Sequence, residues 1–165
     1  MEEKYSKQLI IRIWIVCSLG LFIDGYDLYI SSIAEPFINA LYHPSPFMIG
    51  LTQAIAPLGA AMGAIIFGRI SDMVGRKKLL IFNLVFFVVI ALLSALAWNN
   101  ISLCVFRFLI GFGVGADYPI CAAYLAETTP KEKTNQLIAA AMFLNCLASP
   151  VGAFVGWIAF KIYTS

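Results

Sequence analysis

The pattern along this chain is five long apolar runs separated by short polar or charged stretches. They cover about residues 10–33, 48–70, 79–98, 101–125 and 136–160. Each holds roughly 20 or more residues, and a helix of that length, rising ~1.5 Å per residue, crosses the ~30 Å hydrocarbon core of a bilayer. The pattern therefore predicts an all-α membrane protein of about five transmembrane helices, occupying 1–165 as one transmembrane portion with charged connectors at 71–78 and 126–135. The first run follows Lys4, Lys7 and Arg12, as a secretory leader would. It is longer than a leader, carries Asp24 and Asp27, and is followed by more spans, so it reads as a retained first helix.

Small residues recur every four positions: Ala56, Ala60, Ala64 and Gly68 in the second run, Gly111 and Gly115 in the fourth, Gly152 and Gly156 in the fifth. In lipid, where Leu against Leu gains little over Leu against an acyl chain, such rows let helix backbones approach each other. Pro57, Pro119 and Pro150 interrupt their runs, as harmless kinks or as bends around a cavity.

Composition agrees with the pattern: 61% of residues are hydrophobic, 12% are charged and the mean hydropathy is +0.88. A water-exposed surface cannot be built from so little charge. The net charge of +2 is too small to attract nucleic acid, and no nucleic-acid module is present. Charge does set direction. Lys4, Lys7, Arg12, Arg69, Arg76, Lys77, Lys78, Lys131 and Lys133 fall on one side, nine of the eleven Lys and Arg, while connectors 36–47 and 99–100 have neither. This bias predicts a cytoplasmic N-terminus. Trp14, Trp98 and Trp157 lie toward the ends of runs, where indoles anchor at the interface. Cys17, Cys104, Cys121 and Cys146 lie in apolar runs without CxxC spacing, as small apolar filler.

An ionisable side chain in mid-span costs at least ~2.5 kcal/mol on insertion scales, so Asp24, Asp27, Arg107 and Asp117 call for partners or water. Asp24 and Asp27 share a helix face. They lie in the outer half of the first span, at a depth similar to that of Arg107, which the fourth span reaches ~9 Å from its outer end. Either aspartate is placed to pair with Arg107. A carboxylate beside a guanidinium stays ionised while a neighbouring one protonates more readily. The set is a proton-coupling group or, alternatively, an ion pair that fixes helix register. On the fourth helix Arg107, Gly111 and Tyr118 share a stripe, and Asp117 lies roughly 80° away with Gly113, Cys121 and Tyr124. Asp117, Tyr118 and Pro119 put an acid and a phenol near mid-membrane where a bend is expected, and Asn145 is a further candidate to line a cavity.

Gly111 to Ala116 fits GxGxxA in form, but no strand precedes it, so no dinucleotide site is expected. His43 is the one histidine and reads as a solvated connector residue. With no Ser-His or HExxH arrangement, the chain does not read as an enzyme. No metal and no cofactor are implied.

The connector sequence Gly68-Arg-Ile-Ser-Asp72-Met-Val-Gly75-Arg76-Lys77 resembles the Gly-x-x-x-Asp-x-x-Gly-Arg-Lys signature between the second and third helices of major facilitator superfamily transporters. Arg107 to Gly115 resembles the Arg-and-glycine motif of that family's fourth helix, and Asp24-Gly25-Tyr26-Asp27 the acidic first-helix motif of its proton symporters. The stretch GADYP at 115–119 is most like the phosphate:proton symporters, while DGYDLY and AETTPKEK are equally like aromatic-acid and sugar:proton symporters. After Pro130 such relatives continue to Arg-Gly where this chain has Thr134-Asn135, at the loop that contains Glu127.

The resemblance implies an N-terminal portion of a proton-coupled transporter working by alternating access on phosphate, an organic acid or a sugar. Asp24, Asp27, Arg107 and Asp117 would couple protons, Tyr118 and Asn145 would contact solute, and Gly68, Asp72, Gly75, Arg76 and Lys77 would form a cytoplasmic gating latch. Asp72 is expected to cap the following turn, Gly75 to take a positive φ and Gly68 to allow close helix approach. The family has twelve helices in two halves. The implied partners are the lipid bilayer, solute and protons, and a missing C-terminal half or a second copy paired in parallel. The alternative is a transport-inactive membrane module that docks to another protein. The implied location is a plasma membrane or bacterial inner membrane.

Overall fold

The computed structural model describes residues 6–164; Lys4 of the cation count lies outside them. The described residues form five helices: α1 (Lys7–Tyr42), α2 (Pro46–Val74), α3 (Arg76–Ser94), α4 (Asn100–Thr128) and α5 (Lys131–Thr164). All five are long and apolar enough to cross a membrane. Their ends differ from the apolar runs. At ~1.5 Å per residue the 36 residues of α1 reach ~54 Å, well past the hydrocarbon, because a helix does not stop where the lipid does. The helical run continues through Pro36, Pro57, Pro119 and Pro150.

The connector expected at 71–78 is shorter than its charge pattern implied. Helix runs to Val74 and resumes at Arg76, and the break is Gly75 with φ 94° and ψ 135°, a conformation that a Cβ disfavours. Asp72 lies inside α2 instead of capping α3; its carboxylate accepts from Arg76 at 2.9 Å, and Gly75 as N-cap makes no side-chain cap bond. Similarly, the charged stretch 126–135 is helical except around Thr129 and Pro130. The third run, expected to reach Trp98, leaves helix after Ser94. Asn99 and Ser102 close the α3–α4 turn: Asn99 Oδ1 accepts from the Ser102 amide at 2.7 Å, and Ser102 Oγ accepts from the Trp98 and Asn99 amides at 3.2 Å each.

The chain divides into two units, one from the described residues up to Ile38 with those from Leu125 onward, the other Asn39–Tyr124. In the second unit α2 and α4 meet backbone to backbone. A Cβ added at Gly59 would strike the Phe108 carbonyl, at Gly63 that of Phe112, at Gly111 that of Ala56 and at Gly115 that of Ala60. Partners advance together by four along both helices, so α2 and α4 run parallel. The expected small-residue row is borne out at Ala56 and Ala60, with Gly59 and Gly63 as its unexpected other half. It fails at Gly68, where an added Cβ meets nothing within 4 Å.

In the first unit α1 and α5 also run parallel, with contacts at Trp14–Leu137, Leu21–Asn145, Gly25–Ala148, Tyr29–Gly152, Ile33–Gly156 and Phe37–Phe160. This seam is looser, because Gly152 and Gly156 face side chains of α1 more than its backbone. Helices an even number of places apart must run the same way if successive helices cross a bilayer in alternating directions, and both seams obey this. Large apolar side chains such as Leu58, Ile65, Val88, Val105 and Phe154 point outward, 52–63% exposed, as lipid-facing residues do.

Candidate functional site

In the second unit the candidate site is built on the buried side of α4. Asp117 is 1% exposed. A buried carboxylate needs hydrogen-bond donors, and α3 supplies one. Asn83, fully buried, donates from Nδ2 to Asp117 Oδ1 at 2.7 Å and to the Gly113 carbonyl at 2.9 Å. One amide thus grips two successive turns of α4. Asn83 Oδ1 is buried and has no hydrogen-bond partner among the described residues. A buried polar atom without a partner is rare and often marks a functional group.

This arrangement has a specific chemical capacity. An ionised carboxylate only accepts hydrogen bonds, whereas a protonated one also donates. The Asn83 amide carries both a donor and an acceptor, and a half-turn of its plane exchanges them. Asn83 can therefore donate to Asp117 when it is charged and accept from it when it is neutral, giving up in the second case its bond to the Gly113 carbonyl. Arg107 and Tyr118 lie on the same helix, both half-buried.

Asn83 was not expected from sequence, since a single amide vanishes inside an apolar run. The available signal was that same amide: a lone polar side chain in a spanning segment needs a partner just as an aspartate does.

In the first unit Asp24 is 2% exposed and Asp27 half-buried, both on α1. Between them Gly25 lies so close to α5 that an added Cβ would stand 2.8 Å from Asn145 Nδ2 and 2.9 Å from the Asn145 carbonyl. Asn145 donates from Nδ2 to the Leu21 carbonyl, so one of its groups clasps α1 to α5. Ser18, also unanticipated, is buried, with no partner for its Oγ among the described residues. Trp14, expected as an interfacial anchor, also donates from Nε1 to the Leu137 carbonyl at 2.9 Å. His43 is exposed and ends α1 with φ 44°.

Of the latch residues, Asp72, Gly75 and Lys77 are exposed, Gly68 and Arg76 half-buried, and Arg76 pairs with Asp72. They stand at the α2–α3 break.

Comparison with known proteins follows the same lines. A family model described as Major Facilitator Superfamily matches residues 17–163. Among curated proteins, a low affinity inorganic phosphate transporter 4 from Medicago truncatula is 32% identical over 142 residues, covering 76% of this chain and 27% of the relative. A probable inorganic phosphate transporter 1-2 from Arabidopsis thaliana is 27% identical over 165 residues, covering 90% of this chain and 32% of the relative. The chain thus spans about a third of the length of these relatives. Among solved structures, the xylose transporter XylE from E. coli in an inward open conformation matches with TM-score 0.76 and 22% identity, over 85% of this chain and 37% of that one. At that identity the likeness is one of fold.

Proposed function

The chain belongs to the Major Facilitator Superfamily, an integral membrane transporter family, and on that premise we propose that it is part of a proton-coupled transporter of inorganic phosphate. The observation that carries the reading is the buried Asp117 held by an amide that can serve it charged or neutral. Such a group can take up and release a proton in mid-membrane without losing its partner. Asp24 and Asp27 on α1 are further proton-handling groups, and Arg107 on α4 offers an anion a positive charge. In this reading Tyr118 is a solute contact of the second unit, and the polar atoms of Asn145 that the Leu21 clasp leaves over are a solute contact of the first. The likeness to phosphate transporters and the GADYP stretch favour phosphate over an organic acid or a sugar.

In this reading transport proceeds by alternating access against a second half, with the N-terminus cytoplasmic and the α2–α3 break acting as latch. The test is uptake of labelled phosphate, benzoate and xylose into liposomes under an imposed pH gradient. The chain is reconstituted alone and together with the remaining helices of a phosphate-transporter relative. Phosphate uptake that needs the gradient and exceeds the other two supports the proposal. No flux of any solute in either reconstitution, with stable capture of the added helices, replaces it with a transport-inactive docking module.

A further inference from the structure

We propose that the first unit carries a binding site for the phosphate of an anionic phospholipid, in a cavity between the start of α1 and the α4–α5 turn. The cavity has a volume of about 230 Å³ and is lined by Lys7, Ile10, Ile11 and Trp14 of α1 and by Thr129, Pro130, Lys133 and Leu137. A water occupies ~30 Å³, so the space takes a group several times larger.

Its chemistry is divided. Lys7 and Lys133 converge on it from two helices, are exposed, and form no ion pair among the described residues. Thr129 is 7% exposed, and its Oγ1 is buried with no hydrogen-bond partner among the described residues. The cavity also adjoins the first turn of α5, where backbone amides and the helix dipole favour an anion. Glu132 of that turn is not among the lining residues.

Two ammonium groups, an unsatisfied hydroxyl and a helix N-terminus together describe a phosphate receptor. The remaining wall decides which phosphate. Ile10, Ile11, Leu137 and the Trp14 ring are apolar, and the Trp14 bond to the Leu137 carbonyl holds that wall together. Free phosphate has no use for such a surface, whereas a glycerophospholipid brings acyl chains alongside its headgroup. The cation count assigns this end of the helices to the cytoplasmic leaflet, where anionic lipids concentrate. The site is separate from Asp117 and its amide, and it stands or falls independently of the solute.

The experiment is native mass spectrometry of the detergent-purified chain titrated with dioleoyl phosphatidylglycerol, dioleoyl phosphatidylcholine or inorganic phosphate. The expected result is a phosphatidylglycerol adduct at concentrations that give none with phosphatidylcholine. Near a membrane surface each lysine contributes about fivefold in affinity, so Lys7→Gln with Lys133→Gln should weaken the adduct about 25-fold. Lys131→Gln, which alters a lysine that does not line the cavity, should leave it unchanged. Thr129→Val should weaken binding and Thr129→Ser restore it. Equal phosphatidylglycerol binding by the double variant and the parent would overturn the site. Binding of inorganic phosphate that displaces the lipid, with no preference between the two lipids, would overturn the lipid assignment.

Discussion

Gly115→Ala tests the backbone seam between α2 and α4 with a single methyl group. The new Cβ would lie on the Ala60 carbonyl oxygen, 2.5 Å from its carbon and 2.6 Å from Ala60 Cα. Carbon atoms pack at about 3.5–4.0 Å, so the helices must part by about 1 Å. No side chain can turn aside to absorb this, because every atom met is backbone. Parting the helices also loosens the same contact one turn away, between Gly111 and Ala56.

Overpacking of this kind costs ~1–3 kcal/mol, and the absence of a yielding side chain argues for the upper end. Replacing helical Gly by Ala returns at most ~1 kcal/mol. The expected net loss is about 2 kcal/mol. Gly68→Ala is the control, since its Cβ enters open space and only the gain of ~0.5–1 kcal/mol remains. The assay is denaturant unfolding in mixed micelles, followed by labelling of the buried Cys104 and Cys121 in a Cys17→Ser, Cys146→Ser background that removes the buried thiol of α1 and the exposed one of α5. Opposite signs for the two substitutions are predicted. A Gly115→Ala chain as stable as Gly68→Ala would refute backbone-on-backbone packing.

Asn83→Ala should destabilise the chain by ~1–3 kcal/mol in the same assay, since it strips a donor from a buried carboxylate. Gly75→Ala should cost ~1–3 kcal/mol purely through its backbone, because an added Cβ meets nothing within 4 Å while φ stays at 94°; helicity across the α2–α3 break by circular dichroism and unfolding reports it. Trp14→Phe should lose ~0.5–1.5 kcal/mol with the bond to Leu137, read by thermal unfolding, whereas Trp98→Phe, whose indole makes no such bond among the described residues, should be near neutral.

The number and kind of elements were legible because about 20 apolar residues in a row leave the backbone few options other than a spanning helix. Their ends were not, because charge marks the membrane boundary while helices stop for other reasons. At 71–78 the reason is Gly75, and the cluster of Arg76, Lys77 and Lys78 simply continues as helix. The α2–α4 seam was half legible: spacing by four found Ala56, Ala60, Gly111 and Gly115, but the same rule promoted Gly68, where an added Cβ meets nothing within 4 Å, and passed over Gly59 and Gly63. Spacing says which residues share a face and not what lies opposite. For the candidate site, Asp117 stood out because a charge in an apolar run demands explanation. Asn83 carries no charge, and its importance lies in a contact 34 residues away that no local pattern encodes.

The measurement that bears most directly on the proposed function is proton movement on adding phosphate to liposomes that hold the chain with the remaining helices of a relative, read by an external pH dye. Asp117→Asn is the decisive variant: it has nearly the shape of the aspartate, and the Asn83 amide can turn to accept from it, so the fold is kept. The parent should alkalinise the medium as phosphate enters, and the variant should exchange phosphate across the membrane without moving protons. Equal proton uptake by the variant, or phosphate flux in the parent with no pH change, would contradict the account.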